Sequence, residues 1–399
     1  MPFVAGRNAD GRAGFYTARP RPWLPRRIAD DAADLLGSER GREMRIALCV
    51  PIGGLSGIWG PSAMACAKLA AAELNAGSGI AGRPCRLIAV NADDDATLLE
   101  SQITDLLDGG EVDAIVGMHT SRVRQRMLRV VGSQVPYVYT PLYEGGEATP
   151  GVFAIGDTPL RQLYPAMRWL QRHERPRRWA MIGDDYVWPQ RQNSLARHYV
   201  RECGGEVVLE RYLPVHTGDF SEVLDALVRS KADAALVSFV GDDTIAFNRA
   251  FGAAGLGRRM LRLTCATEEN ELLAIGGDNT ERLYVAASYF SALQTDANLA
   301  FKERYHAHFG PRSPTLNALG QSTYEGLHFL AALVEHGLAR PESWSRRRPP
   351  LAYRSARNGL YGTEGIGLAP TWLAVAEGHG FRVLTRLTPA DTFQGKQNA

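Results

Sequence analysis

The residues of this chain best suited to chemistry sit in short turns, each following an apolar run. Gly117-Met118-His119-Thr120-Ser121 precedes a segment carrying Arg122, Arg124 and Arg126. A serine at a helix N-cap, with N–H groups around it, can hold a carbonyl or carboxylate oxygen. A second turn, Tyr139-Thr140-Pro141-Leu142-Tyr143-Glu144-Gly145, offers the Thr140 hydroxyl or amide, while Tyr143 and Glu144 read as a surface loop braced by a local hydrogen bond. A third, Gly183-Asp184-Asp185-Tyr186-Val187-Trp188-Pro189, carries Tyr186, whose planar ring and hydroxyl tip can cover an apolar group and bond a polar one, with Trp188 as a wall. Val240 to Thr244 and Thr264 to Glu269 add Gly241 and Thr264 as contacts, and carboxylates most simply read as helix caps. In this pattern the common chemistry is ligand binding.

Catalysis lacks its components. Pro51 to Ser62 is Gly-rich but has no Gly-Lys-Ser/Thr, and Ser56 is followed directly by Gly57, so neither a phosphate loop nor a hydrolase elbow is present. His306-x-His308 has no further ligands at metal spacing, and Asp93, Asp94 and Asp95 read as solvated caps rather than an acid/base pair. The expectation is no enzyme, no cofactor and no metal.

These turns need a scaffold that places strand ends side by side. Apolar runs at Arg45 to Val50, Cys85 to Val90, Ala114 to Gly117, Pro136 to Thr140 and Val152 to Ile155 alternate with helical segments at Pro61 to Asn75, Thr97 to Asp108 and Ser121 to Gly132. Nearly unbroken apolar strands belong to parallel sheets sandwiched by helices, which bind ligands at the carboxyl ends of their strands. The pattern repeats, with strands at Trp179 to Gly183, Glu206 to Leu213, Ala234 to Val240, Arg262 to Cys265 and Leu283 to Tyr289, separated by helices near Gln192 to Cys203, Phe220 to Ser230 and Thr244 to Ala254. Helices near Asn298 to Phe309 and Leu316 to His336 follow, and Gly378-His379-Gly380 joins a terminal hairpin. The fold class is α/β: two Rossmann-like lobes with parallel sheets joined by a hinge.

At 399 residues the chain is long for a single core, in keeping with two lobes. The eight Arg and six acidic residues of positions 1–43 account for the whole net charge of +2, leaving no basic stripe for nucleic acid or an anionic membrane. Five cysteines, an odd number without a C-x-x-C, read as buried free thiols. No apolar run is long enough for a membrane span, and residues 1–43 hold no signal-peptide apolar core. That segment reads as a disordered or non-native extension, with Met44 as the expected start and a cytoplasmic location; a periplasmic or cell-surface location is the alternative if the true N-terminus is missing.

The stretch Glu73-Leu-Asn-Ala-Gly-Ser-Gly-Ile-Ala-Gly-Arg-Pro84 resembles the E-x-N-x-x-G-G-I-x-G-R-P signature of type I periplasmic binding proteins, in the branch that binds branched-chain amino acids, urea and amides, with Ser78 replacing one glycine. The first and second turns are similar to segments of the amide and urea binders of that branch, and the third to a segment of the cytoplasmic amide sensors of amidase operons (AmiC-type). That resemblance implies ligand contacts at Ser121, Tyr139 and Tyr186, and puts His119 where relatives carry an aromatic ring. It further implies lobe 1 over 44–157 with a return over 290–340, and lobe 2 over 158–289 with a return over 341–399.

The implied function is a binding protein for a short aliphatic amide, urea or similar ligand, acting as a sensor that restrains an antitermination regulator of amidase expression. The alternative is the substrate-binding component of an ABC importer for urea, amides or branched-chain amino acids, with a permease as partner. A homo-oligomer stays open; direct nucleic-acid contact and membrane insertion are not expected.

Overall fold

The segment Met44–Val50 is buried at every position except Arg45, which requires a sheet covered on both faces. It forms β1 of a five-stranded sheet with β2 (Cys85–Asn91), β3 (Ala114–Gly117), β4 (Tyr137–Tyr139) and β5 (Val152–Ala154), ordered β2-β1-β3-β4-β5. Every neighbouring pair is parallel. The computed structural model describes residues 43–344, 351, 355–357 and 369–388. The expectations for residues 1–42, for the connection beyond 344 and for the tail from 389 lie outside the described residues.

The first sheet is covered by α1 (Gly60–Ala76) on one face and by α2 (Leu99–Asp108) and α3 (Ser121–Val131) on the other, through separate apolar clusters. Thr120, not Ser121, caps α3, its hydroxyl accepting from the Val123 N–H, so Ser121 is the first helical residue. The Asp93-Asp94-Asp95 run does not cap α2, whose N-cap is Leu98. Asp94 is instead buried, and it takes hydrogen bonds from Thr120 Oγ1 (2.7 Å) and Ser56 Oγ (3.2 Å). One carboxylate thereby ties together the turns after β1, β2 and β3.

The second sheet has the order β12-β11-β10-β9-β8-β6-β7, with β6 (Arg178–Asp184), β7 (Glu206–Leu213), β8 (Ala234–Ser238), β9 (Leu261–Thr264), β10 (Leu283–Ala287), β11 (Thr371–Glu377) and β12 (Gly380–Leu387). β6 to β10 pair in parallel, and the β11–β12 hairpin joins β10 antiparallel. α4 (Pro159–His173) and α5 (Val187–Glu202) cover one face; α6 (Ser221–Ser230) and α7 (Gly241–Ala253) cover the other with the rings of Phe220, Phe239, Phe247 and Phe251. α4 has no counterpart in the sequence-based expectation. Pro165 inside it removes one helical N–H, but Leu163, Ala166, Met167 and Leu170 form a buried stripe that offsets the loss. α5 begins before the expected Gln192 because Pro189 falls in its first turn, where a missing N–H costs nothing.

A short α8 (Glu269–Ile275) carries a capping box in which Glu268 and Glu271 each accept the other's backbone N–H. α9 (Asp296–Phe309) and α10 (Ala318–Glu335) then pack on α1. Arg304 Nε meets Glu73 Oε1 at 2.7 Å, and Tyr324 also bonds Glu73. A Cβ at Gly320 would stand 2.1 Å from Ser62 Oγ, so only glycine permits this helix approach. Cys49, Cys66, Cys85 and Cys265 are buried and Cys203 half-buried, all as free thiols. Among the described residues no helix is long and apolar enough to cross a membrane.

Candidate functional site

The carboxyl ends of the two sheets face one another, and loops from both meet across the gap. Asp242 N–H donates to Leu55 O (2.9 Å), Asn270 Nδ2 to Ile58 O (2.6 Å) and Trp59 Nε1 to Glu271 Oε1 (3.0 Å). At the rim His216 Nε2 lies 2.8 Å from Asp95 Oδ2. The lobes are closed on each other.

Beneath these contacts lies a cavity of about 310 Å³, space open to solvent included. The first lobe gives it Trp59, His119, Thr120, Ser121 and Tyr139, the second Tyr186, Trp188, Val240 and Ala266. Pro141, Leu142 and Leu319 of α10 complete the wall. Among the described residues no Asp, Glu, Lys or Arg lines it, so the chamber is aromatic and uncharged. Of the seven contacts expected from sequence, Ser121, Tyr139, Tyr186 and His119 share this cavity, and Thr140 lines an adjoining one.

Gly241 and Thr264 line neither. Gly241, at φ 53°, is where the lobes touch: a Cβ there would stand 1.8 Å from Leu55 O. The Thr264 hydroxyl is buried and turned to the Ala266 N–H at 3.2 Å.

The first-lobe wall is held by its own hydrogen bonds. His119 Nδ1 is 3.1 Å from Thr120 O and Nε2 is 2.9 Å from Tyr137 Oη, while Tyr139 Oη donates to His119 O at 2.8 Å. A carbonyl only accepts, so Nδ1 carries the proton and Nε2 accepts from Tyr137. Burial pushes the His119 pKa down to about 3, keeping the ring neutral. Both nitrogens are engaged, so His119 offers its ring rather than a hydrogen bond.

The Ser121 hydroxyl donates to Glu144 Oε2 at 2.6 Å. Glu144 and Glu147 both pair with the buried Arg124, whose guanidinium lies 5.2 Å over the Tyr139 ring and 5.5 Å over Tyr143. Tyr143 and Glu144 thus form a buried ionic wall, a correction to the expected surface loop, because Arg124 points inward from α3 to meet them.

The second-lobe wall has more bonding capacity to spare. Tyr186 is half-buried, with its ring centre 6.3 Å from that of Trp188, and burial raises its hydroxyl pKa well above the ordinary value. Trp188 is buried, and its indole N–H has no acceptor among the described residues. The acidic residues of this lobe turn away from the cavity. Asp184, its pKa raised well above the ordinary value by burial and then by Asp243, accepts the Val240 N–H at 3.0 Å, and Asp243 accepts the His216 N–H at 2.7 Å. Glu268 caps α8 and also accepts the Ala318 N–H at 2.6 Å.

Sequence reasoning passed over Trp59, which its Gly-rich turn after β1 could have flagged, and Leu319, whose helix returns from far along the chain without a local signal. Among the described residues no group of three or more His, Cys, Asp or Glu is placed to hold a metal.

Paired lobes of this kind, closed over a cavity at the carboxyl ends of parallel strands, define the two-lobed α/β binding fold. The chain belongs to the periplasmic binding protein family, whose model matches residues 43–343. Solved structures agree with the fold. A periplasmic binding protein from Burkholderia mallei is similar at 18% identity, TM-score 0.74, over 87% of this chain and 95% of that one. A solute-binding protein of an ABC transporter from R. palustris, in complex with 4-hydroxybenzoate, is similar at 15% identity, TM-score 0.75, over 88% and 100%. The branched-chain amino acid transporter substrate-binding protein LivJ from Streptococcus pneumoniae, in complex with isoleucine, is similar at 14% identity, TM-score 0.70, over 86% and 99%. The fold and family are those of binding proteins rather than enzymes.

Proposed function

We propose that this protein is the solute-binding component of an ABC-type importer and closes its lobes on a small, uncharged organic molecule with a planar or short apolar body. The observation that carries this reading is the inter-lobe chamber: Trp59, His119, Tyr139, Tyr186 and Trp188 present ring surface, and among the described residues no charged side chain lines it. Apolar and aromatic walls with a few polar groups are how small-ligand sites gain affinity and orientation. The Trp188 N–H adds a donor for a ligand carbonyl or hydroxyl. Support for import comes from the transporter proteins similar in fold, whose bound ligands are benzoates and an amino acid.

Relatives' ligands do not transfer unchanged. A benzoate ring suits the chamber, but among the described residues its carboxylate would meet no cation there, and an amino acid would need partners for two charges. A thermal-shift panel of benzamide, butyramide, acetamide, urea, 4-hydroxybenzoate and isoleucine tests the reading. A ligand at about 100 times its Kd stabilises the native state by about 2.7 kcal/mol. Uncharged members should give the larger shifts; a larger shift with isoleucine or 4-hydroxybenzoate overturns it.

The same uncharged lining favours a second reading, an amide sensor that restrains an antitermination regulator. The two differ in partner and compartment: the importer component works outside the cytoplasmic membrane beside a permease, the sensor in the cytoplasm. Ligand-dependent release of a purified antitermination regulator would support sensing, and ligand-dependent stimulation of a permease ATPase would support import.

A further inference from the structure

A second compartment of about 270 Å³, space open to solvent included, adjoins the aromatic chamber and shares Pro141, Leu142 and Leu319 as walls. Unlike the chamber, it is polar. Asp157, in the turn after β5, and Gln162, on the first turns of α4, both line it and are 4% and 2% exposed. Gln162 Nε2 donates to Ala286 O at 3.0 Å, which fixes the amide and leaves Oε1 as an acceptor with no donor among the described residues. Asp157 Oδ1 likewise accepts no hydrogen bond among the described residues, and its ion-pair contact, Arg161 Nε, is 3.9 Å away, beyond hydrogen-bond reach. Two buried acceptors therefore line one compartment, and leaving such groups unmet costs free energy that a suitable ligand recovers.

We infer that this compartment is a subsite for a neutral hydrogen-bond-donating head group, an N–H2 of carboxamide or urea type, held by Asp157 and Gln162 while the ligand's body lies between the rings of the chamber. An anion is disfavoured, because the two lining atoms that accept no hydrogen bond among the described residues are acceptors and one belongs to a carboxylate. An ammonium is disfavoured too, because Arg357 also lines the compartment, donating to Ser288, Gln321 and Ala318 O. With Arg161 3.9 Å from Asp157 and Arg357 in the same wall, the carboxylate is already answered and an added cation gains little, whereas a neutral N–H2 group meets both acceptors. Glu268, the other acid in this wall, is spent on the helix caps already described.

The inference rests on the inter-lobe binding reading, and its test separates the two. Benzamide and acetophenone are near-isosteres that differ in N–H2 against CH3, so calorimetric titration of both isolates the donor. Benzamide should bind the native protein about tenfold or more tightly. Asp157→Ala should remove that preference by weakening benzamide alone, and Gln162→Leu, which keeps volume and apolar packing, should reduce it. Circular dichroism and unfolding midpoints identify a variant that fails to fold, in which case the other variant decides. Equal affinity for the two probes in the native protein, undetectable binding of both, or a preference unchanged in the folded variants overturns the subsite and leaves a compartment holding water only. Tyr186→Ala, which touches only the chamber, probes the binding reading: loss of both probes upholds it even when the Asp157 result is negative, and unchanged binding of both sinks it.

Discussion

The hydroxyl of Ser121 donates to the Glu144 carboxylate at 2.6 Å, so it reaches first for a wall of its own lobe. Hydrogen bonds to charged groups contribute about 1.5–3 kcal/mol, and Ser121→Ala should lower the unfolding free energy of the ligand-free protein by about that amount, measured by urea denaturation. A variant as stable as the native protein would show that Arg124 alone suffices for Glu144. At this scale position after a strand was a partial guide: His119, Ser121, Tyr139 and Tyr186 follow or end strands and line the chamber, while Gly241 and Thr264, also at strand ends, do not. It was illegible where a distant partner decides. Nothing local to Glu144 announces Arg124, and nothing near Asp157 says that its Oδ1 accepts no hydrogen bond among the described residues.

Helix starts show how elements aim these residues and how pH reaches them. Glu269, the first residue of α8, accepts the Ser291 N–H at 2.6 Å, and burial raises its pKa from 4.5 to about 7. The folded state then binds more protons than the unfolded chain between those values, so this contribution is complete below pH 4.5 and is lost as pH rises through about 7. Glu269→Gln keeps the accepting oxygen and removes the titration. Its stability relative to the native protein should therefore improve across that window by up to about 1.4 kcal/mol per pH unit, read from unfolding midpoints at successive pH values. A constant difference would place the Glu269 pKa at its ordinary value. Gly241 opens α7 at φ 53° against Leu55 O, and Gly241→Ala should cost about 1–2 kcal/mol in backbone strain alone. Its added methyl also separates the lobes, so ligand affinity should fall about tenfold or more, with a larger radius of gyration by small-angle scattering. Most helices could be read from apolar spacing; α4 could not, since Pro165 conceals a stripe that only the second sheet reveals.

The two sheets were legible in the whole molecule because parallel strands buried on both faces leave near-continuous apolar runs in the sequence, β1 and β8 most plainly. The facing of their carboxyl ends was not, because it depends on α9 and α10 packing on α1 and on bonds such as Trp59 to Glu271 that span most of the chain. Closure is what makes one site from two half-walls, and those halves are unequal. The first-lobe half is already fastened by the bonds among Tyr137, His119 and Tyr139, while across from it the Trp188 indole N–H has no acceptor among the described residues. That asymmetry sets an order of events in time. A ligand should therefore land on the finished wall first, with the second lobe setting how long it stays. Stopped-flow measurements on Tyr186→Ala should find the association rate constant within about threefold of the native value and the dissociation rate constant raised by most of the affinity loss. An association rate that falls in step with affinity would mean that the second lobe receives the ligand first.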